Sequence, residues 1–258
     1  MHLPTPDAPP DTPAQRTTDR RRLLRALNAS LAFVLVLVAV FSAQGHFDVA
    51  AWSVQPWSLP GLRGVLTAPL LHGSPEHLAT NAFSLLLLGT LAGAVYPRAT
   101  LRALPLMWLS SGLGAWLLGS VGSHHLGASG IAHGLMFLVF VLGLLRRDRP
   151  AIAAAMIAFM LYGGMLLTIL PREPGISWQA HLGGAVGGVI AAWLFRRLDP
   201  QAPRKRYSWE DEDDGSEPLR DELERAGLEP PRPQEVPVLW KRPEETRGTV
   251  LRFPSRED

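Results

Sequence analysis

Two short motifs in a chain otherwise rich in Leu, Ala, Val and Gly contain residues that could do chemistry together. Ser129 stands in the sequence GASG, and His181 stands in the sequence AHLGG about fifty residues later. A serine hydroxyl is a weak nucleophile that needs a neighbouring base, and histidine is the side chain that most often serves as one. If Ser129 and His181 meet in the fold, the pair could catalyse acyl transfer.

A third motif offers hydrogen-bond donors for the same chemistry. His77 and Asn81 are four residues apart, so they share one face of a helix. Acyl transfer needs donors that stabilise the negative charge developing on the oxyanion. The two side chains, with the backbone N–H groups at the start of the segment that Ser129 opens, could supply these donors. His72 is predicted to be structural and to hold the long connection over residues 44–76.

The composition predicts an all-α, polytopic integral membrane protein. The chain has 258 residues, of which 47% are hydrophobic, and its mean hydropathy is +0.10. Apolar runs fill the region from about residue 26 to 195, and runs of about 18 or more such residues are long enough to cross a bilayer. The net charge of +2 is small, and the basic residues cluster beside apolar segments, which indicates orientation rather than nucleic-acid binding. The absence of cysteine excludes disulfides and thiolate metal sites.

The chain divides into a membrane domain and two polar ends. Residues 1–25 are predicted to be a disordered cytoplasmic arm, and residues 198–258 a disordered cytoplasmic tail that is rich in proline and acidic residues. The first apolar segment also suits a cleaved signal peptide, but further membrane segments follow, which favours a retained helix. A six-helix membrane domain is predicted over residues 26–197, with spans at 26–43, 78–95, 103–121, 126–145, 151–170 and 178–195.

The positions of the basic residues predict the direction of each span. Arginines flank the start of the first span, fill the second and fourth connections and follow the sixth span, whereas the opposite connections hold only Arg63 and Arg172. By the positive-inside rule, both termini are predicted to be cytoplasmic. The second, fourth and sixth spans then run from outside to inside. This direction brings four polar side chains to a similar depth near the external face: His77, Asn81, Ser129 and His181.

Small residues predict which helix faces meet. Gly130 and Gly134 in the fourth span, and Ala180, Gly184 and Gly188 in the sixth, recur at intervals of four residues. Such spacing lets membrane helices pack with their backbones close together, and would bring Ser129 within reach of His181. His133 lies on the same face as Ser129, one turn later, where a role beside the pair and simple packing are both open.

The residues that are absent from the spans exclude other classes of membrane protein. No Asp or Glu lies within a predicted span, which excludes a two-carboxylate intramembrane protease. No His-Glu-x-x-His sequence occurs, so a zinc protease has no ligand set, and we predict no metal or other cofactor. Lys and Arg are also absent from the spans, which disfavours an ion-coupled transporter. Serine and histidine often hydrogen-bond across membrane helices for packing alone, so this alternative stays open.

At these motifs the chain resembles the rhomboid family of intramembrane serine proteases, over roughly residues 26–197. The resemblance rests on the run HGSPEHLATN that ends at Asn81, on GASG, and on AHLGG followed by Gly188. It implies that Ser129 is the nucleophile and His181 the general base, in a dyad without an acid. It further implies that oxyanion donors come from His77, Asn81 and the Ser129 backbone, with supporting positions at His72, Gly127, Gly130, His133 and Gly184.

Two positions depart from the family pattern. The family often has an aromatic residue four positions after the serine that stacks on the catalytic histidine, and here that residue is His133. Gly-x-Ser-Gly followed by this histidine is similar to the rhombosortase-like branch. A Trp-Arg pair in the first external connection is also not evident, because Trp57 and Arg63 are separated. Neither departure removes a catalytic group.

The sequence therefore predicts an intramembrane serine endopeptidase that cleaves single-span, membrane-anchored protein substrates near the external face. Its expected partners are these substrates and the lipid bilayer, without nucleic acid. The Arg-rich flanks predict a bacterial inner membrane. The alternative is an inactive rhomboid-like scaffold that binds transmembrane helices, although such proteins usually lack the serine or the histidine.

Overall fold

The computed structural model describes residues 13–171 and 175–200, and every regular element in these residues is a helix. The only strand-like pairing among them is an isolated antiparallel bridge between Val54 and His125. Short 3-10 turns occur in the connection after the first long helix. In chain order, the α-helices of the described residues are α1 (Pro13–Ala43), α2 (Val49–Trp52), α3 (Gly64–Thr67), α4 (Pro75–Val95), α5 (Pro97–Leu118), α6 (Ser129–Arg146), α7 (Arg149–Tyr162), α8 (Met165–Thr168) and α9 (Trp178–Phe195).

The first helix begins earlier than the sequence predicts. The sequence predicts a disordered arm over residues 1–25. This prediction is wrong from Pro13 onward, because α1 begins at that residue. Proline is well tolerated in the first turn of a helix, and the residues that follow are rich in Ala, Gln, Arg and Leu, which favour helix. Once the apolar part of α1 is helical, each further residue adds one hydrogen bond at little cost. Residues 1–12 lie outside the described residues.

Four helices in the described ranges are long and apolar enough to cross a membrane, namely α1, α4, α5 and α6. The predicted fifth span is interrupted, because α7 ends at Tyr162 and the short helix α8 follows Gly163 and Gly164. Helix α9 has 18 residues and carries Gln179, His181 and four glycines. The count of six spans stays a prediction.

Local signals set the starts of the two helices nearest the candidate site. Helix α4 begins at Pro75 rather than at residue 78, because the Ser74 hydroxyl accepts the His77 N–H at 3.1 Å and caps the helix. Helix α6 begins at Ser129 rather than at residue 126, because Gly127 has a positive φ of 112° that helical residues do not adopt. His77 therefore lies in the first turn of α4, and Ser129 is the first residue of α6.

Helix α6 is the central helix, and α9 packs directly against it. A Cβ atom added at Gly184 would meet the carbonyl oxygen of Gly130, and one added at Gly188 would meet the carbonyl oxygen of Gly134. Only glycine allows two helix backbones to approach in this way. Along α6, 61% of the most apolar stretch is buried inside the protein, compared with 33% for α4. These glycine faces, Gly130 and Gly134 on α6 and Gly184 and Gly188 on α9, therefore let α9 pack closely against α6, which is more buried than α4.

The connection between α1 and α4 folds over the same end of the bundle as Ser129. Val54 exchanges backbone hydrogen bonds of 2.9 Å in both directions with His125, in the segment just before α6. The Trp116 indole N–H donates to the carbonyl of Ser58 at 2.9 Å, and the Trp108 indole donates to that of Leu66 at 3.1 Å. Tryptophans thus attach the connection to α5.

At the opposite end, the first residues of the predicted tail belong to the folded domain. The Asp199 carboxylate accepts the backbone N–H groups of Arg98 and Ala99 at 3.0 and 2.9 Å. Those donors lie in the first turn of α5 and have no partner within the helix, so the buried carboxylate caps it. Arg146 donates to the carbonyls of Asp199 and Pro200. The rest of the predicted tail, residues 201–258, lies outside the described residues.

Candidate active site

The turn before α6 positions Ser129 and leaves donors beside it. Gly127 donates its N–H to the carbonyl of Ala68 at 2.8 Å. A Cβ atom on Gly127 would collide with the ring of His77, so both its positive φ and its lack of a side chain are required. Ala128 precedes α6 without a side-chain cap. The first N–H groups of a helix have no partner within it, so the Ser129 N–H points out of the helix as a donor.

The hydroxyl of Ser129 and the ring of His181 are in direct contact. Ser129 Oγ lies 2.8 Å from His181 Nε2, and His181 Nδ1 lies 3.1 Å from the carbonyl oxygen of Thr168. A carbonyl can only accept, so Nδ1 carries the hydrogen, and in the neutral ring Nε2 then accepts from the serine hydroxyl. This is the tautomer that a general base requires.

His133 lies flat against His181. The two ring centroids are 3.9 Å apart with an angle of 15° between the planes. His133 Nδ1 lies 2.7 Å from the carbonyl of Ser129, and its Nε2 lies 2.8 Å from the hydroxyl of Thr168. The ring is buried and fixed at both nitrogens. Of the two roles left open by the sequence, this position agrees with a role beside the pair.

His77 and Asn81 lie one turn apart on α4 and face the same cavity as Ser129 and His181. The His77 ring lies against Gly127, immediately before the serine turn. Asn81 is 4% exposed, and its amide nitrogen Nδ2 has no hydrogen-bond partner among the described residues. A buried donor without a partner is costly, and because Asn81 also lines the cavity, this amide is available to a group bound there.

His72 lies behind this site and joins α1 to the turn before α4. Its backbone N–H donates to Gln44 Oε1 at 2.9 Å, and Gln44 Nε2 donates to its carbonyl at 2.7 Å. Its ring meets the His77 ring edge-on at 5.1 Å. Burial and, to a smaller extent, the neighbouring charge of His77 lower the pKa of His72 from 6.5 to about 4. These contacts agree with a structural role for His72.

The candidate site opens into a cavity of about 1050 Å³. Hydroxyl, amide and imidazole groups line much of it, so it can hold water as well as an extended peptide segment. Hydrolysis of an acyl-enzyme needs that water. The lining brings together the side chains that the sequence singled out, namely His77, Asn81, Ser129, His133 and His181.

The sequence did not reveal the role of His125. Its Nδ1 lies 2.7 Å from the hydroxyl of Ser177, and its Nε2 lies 2.9 Å from that of Ser123. Burial, and then the charge of neighbouring His124, lower the pKa of His125. Two adjacent histidines in an external connection, His124 and His125, are expected to be solvated, but this expectation is wrong for His125, because it ties the turn before α6 to the residue before α9. A histidine and a serine in two separate connections form no motif, so nothing in the sequence indicated this contact.

The sequence also missed Thr168, which contacts both His133 and His181. Thr168 lies inside the predicted fifth span, where a threonine is an ordinary residue and gives no sign of a role.

Across residues 13–171 and 175–200, no three side chains of His, Cys, Asp or Glu are grouped so that they could hold a metal ion.

A family comparison identifies the fold that carries this site. The model of the Rhomboid domain matches residues 59–198, which include every residue of the candidate site. The chain belongs to the rhomboid family. This rhomboid is thus an integral membrane protein, and its family acts on membrane proteins within a lipid bilayer.

Known relatives of this rhomboid occur in bacteria and in plants. The uncharacterized protein Rv1337 of Mycobacterium tuberculosis is 36% identical over 212 residues, which cover 78% of this chain and 88% of the relative. The uncharacterized protein ML1171 of Mycobacterium leprae is 38% identical over 142 residues, or 52% of this chain and 56% of the relative. Rhomboid-like protein 11, chloroplastic, of Arabidopsis thaliana is 26% identical over 216 residues, covering 74% of each chain.

Proposed function

We propose that this rhomboid is a serine endopeptidase that cleaves membrane-anchored protein substrates through Ser129 and His181. The observation that carries the proposal is the 2.8 Å contact between Ser129 Oγ and His181 Nε2. The bond from His181 Nδ1 to the Thr168 carbonyl supports it, because it leaves Nε2 free to accept a proton. A pair selected only for packing would need neither the tautomer nor the cavity in front of it.

The geometry supports a two-step mechanism. In the first step, Ser129 Oγ attacks the scissile carbonyl carbon while His181 Nε2 takes the hydroxyl proton and then gives it to the departing amine. The proposed donors to the oxyanion are the Ser129 N–H, Asn81 Nδ2 and the His77 ring, because all three residues line the cavity in front of His181. In the second step, a water molecule from the cavity attacks the acyl-enzyme, with His181 again accepting the proton. His181 then returns this proton to Ser129 Oγ as the acyl–oxygen bond breaks, so that the substrate acid leaves and Ser129 is restored.

The arrangement of charges supports a site near the external face. Ser129 and His181 each lie in the first turn of their helix, whereas Arg146 and Arg196 lie at or just beyond the opposite ends of these helices. We propose that the arginine-bearing side faces the cytoplasm, so that both termini are cytoplasmic. The bacterial relatives support a bacterial inner membrane as its location. Single-span proteins are the proposed substrates, because an unwound segment near the surface could enter the cavity.

Reconstituted protein and a single-span reporter substrate in liposomes would test this function. We expect the wild type to cleave the reporter, and Ser129→Ala and His181→Ala each to reduce cleavage by roughly a thousandfold or more. Ser84→Ala is the matched control, because Ser84 also lines the cavity, whereas the hydroxyl bonded to His181 Nε2 is that of Ser129. Its rate should stay within about twofold of wild type. Cleavage that survives Ser129→Ala would contradict the proposal, and no cleavage by a folded wild type would favour the inactive scaffold.

A further inference from the structure

We propose that Thr168 is a positioning residue that holds the rings of His133 and His181. This inference rests on the proposed function, because it concerns how His181 is kept ready as a base. The unusual feature is that one residue contacts two stacked histidines. Its backbone carbonyl accepts from His181, and its hydroxyl contacts His133. The two rings are thereby held from the same point on the chain.

The carbonyl of Thr168 is available because the helix ends there. Helix α7 stops at Tyr162, and the next helix, α8, has four residues and ends at Thr168. The last carbonyls of a helix have no donor within it. The Thr168 carbonyl instead accepts the Nδ1–H of His181 at 3.1 Å. A continuous fifth helix would occupy this carbonyl, so the break in the helix creates the acceptor that fixes the tautomer of His181.

Counting protons shows how the hydroxyl of Thr168 acts on His133. His133 Nδ1 faces the carbonyl of Ser129, so this nitrogen must carry the hydrogen. The neutral ring can then only accept at Nε2, which makes Thr168 the donor at 2.8 Å. The hydroxyl also lies 3.0 Å from the carbonyl of Met165, which is its alternative acceptor. If the hydroxyl proton pointed to Met165, lone pairs of Thr168 Oγ1 and His133 Nε2 would face each other at 2.8 Å. With His133 neutral, the proton therefore points to His133.

This arrangement takes over a task that a carboxylate performs in serine-histidine-aspartate sites. There the third group holds the imidazole in the correct tautomer and orientation. Here the Thr168 carbonyl selects the tautomer, while the Thr168 hydroxyl fixes His133, which stacks on His181 at 3.9 Å. His133 also bonds to the carbonyl of Ser129 itself. Thr168, His133, His181 and Ser129 therefore form a closed loop of contacts across three helices.

Removal of the hydroxyl alone separates this role from simple packing. Thr168→Val keeps the shape and the backbone carbonyl but cannot donate to His133. We expect kcat on the reporter substrate to fall at least fivefold with KM within about twofold, and Thr168→Ser to restore kcat to within twofold of wild type. Thr90→Val is the matched control, because the Thr90 hydroxyl is also buried in a membrane helix and has no partner among the described residues. Its kcat should not change.

A double variant tests whether Thr168 acts through His133. His133→Phe keeps a ring against His181 but has no nitrogen for Thr168. If the two act as a unit, adding Thr168→Val to His133→Phe should lower kcat by less than twofold further. Unchanged kcat in Thr168→Val, failure of Thr168→Ser to restore it, or a multiplicative loss in the double variant would each overturn the inference.

A spectroscopic readout keeps this inference separate from the proposed function. Nitrogen-15 spectra of imidazole-labelled protein should show His133 protonated at Nδ1 in every protein, because the Ser129 carbonyl remains, and a shifted Nε2 signal in Thr168→Val, where that nitrogen loses its donor. Thr168→Ser should retain the wild-type spectrum. Identical spectra in all three proteins would overturn the inference even if the reporter is cleaved. If the wild type cleaves nothing while the spectra change as expected, the proposed protease function fails but the contact between Thr168 and His133 stands.

Discussion

At the scale of single residues, the site is defined by which groups have partners and which do not. His181 has its Nδ1–H on a carbonyl and its Nε2 on the serine hydroxyl, so each nitrogen has a role. Asn81 differs, because its amide nitrogen is buried and has no partner among the described residues. Folding leaves this donor unsatisfied at a cost, and an oxyanion would satisfy it. We therefore propose that the amide of Asn81 serves the transition state rather than stability.

Asn81→Ala tests that distinction. We expect kcat to fall by about a hundredfold, which is typical when one oxyanion donor is removed. The melting temperature should stay the same or rise, since no hydrogen bond within the protein is lost. Asn28→Ala is the control, because Asn28 is exposed on α1. Measurements of reporter cleavage and thermal unfolding on both variants would decide; a large drop in melting temperature with unchanged kcat would make Asn81 a structural residue.

At the scale of elements, the glycine faces of α6 and α9 bring the nucleophile and the base together. Gly184 is one turn beyond His181, and Gly130 directly follows Ser129, so this backbone contact lies just below the dyad. The His125 side chain fastens the same two helices above it, through Ser177. The distance between Ser129 and His181 is thus fixed on both sides. A change in either contact should alter the dyad as well as the stability.

Gly184→Ala should separate the two helices. The added Cβ would meet the carbonyl of Gly130, and overpacking of this kind costs about 1–3 kcal/mol. We therefore expect a lower melting temperature together with a loss of kcat, because the dyad widens. Gly164→Ala adds the same methyl where nothing lies within 4 Å, so it should change neither quantity. Equal behaviour of the two variants in unfolding and cleavage measurements would refute close packing at Gly184.

At the scale of the whole molecule, stability should depend on pH through buried histidines. His72 has its pKa lowered to about 4, whereas the unfolded chain has the ordinary value of 6.5. Between these values the unfolded state binds more protons, so acid favours unfolding. The contribution is fully present above about pH 6.5 and is lost as the pH falls towards about 4. His72 is fully buried between the segment that follows α1 and the start of α4, so charging its ring should destabilise the packing of these helices.

The pH dependence of the melting temperature measures this effect. We expect the melting temperature of the wild type to fall between pH 6.5 and 4, and the slope to be smaller in His72→Gln. His124→Gln is the control, because His124 is exposed. A slope in His72→Gln that equals that of the wild type would show that His72 does not titrate in this range.

Much of the candidate site could be predicted from the sequence, because membrane insertion simplifies the problem. The predicted direction of the spans places Ser129, His181, His77 and Asn81 at one depth, and the four residues do line one cavity. The four-residue spacing of glycines indicates which faces meet. Neither inference requires knowledge of the tertiary contacts. Positive-inside orientation and small-residue packing act along the sequence, so the sequence displays them directly.

The remaining features depend on contacts that the sequence does not display. Thr168 acts partly through a backbone carbonyl, which any residue type provides, and its availability depends on where α8 ends. Asp199 caps α5 from 100 residues away, in a segment whose composition indicated a tail. The helical start of α1 follows from propagation of its apolar part, whereas charge and proline content indicated disorder. In each case a tertiary or cooperative effect overrides the local signal.

The most direct test of the central claim is labelling of the purified, detergent-solubilised rhomboid with a fluorophosphonate probe. This probe reacts with an activated serine, so it reports on the contact between Ser129 Oγ and His181 Nε2 without any substrate. We predict that the wild type and Ser84→Ala are labelled, and that Ser129→Ala and His181→Ala are not. Labelling that persists in His181→Ala, or a folded wild type that is not labelled, would contradict activation of Ser129 by His181.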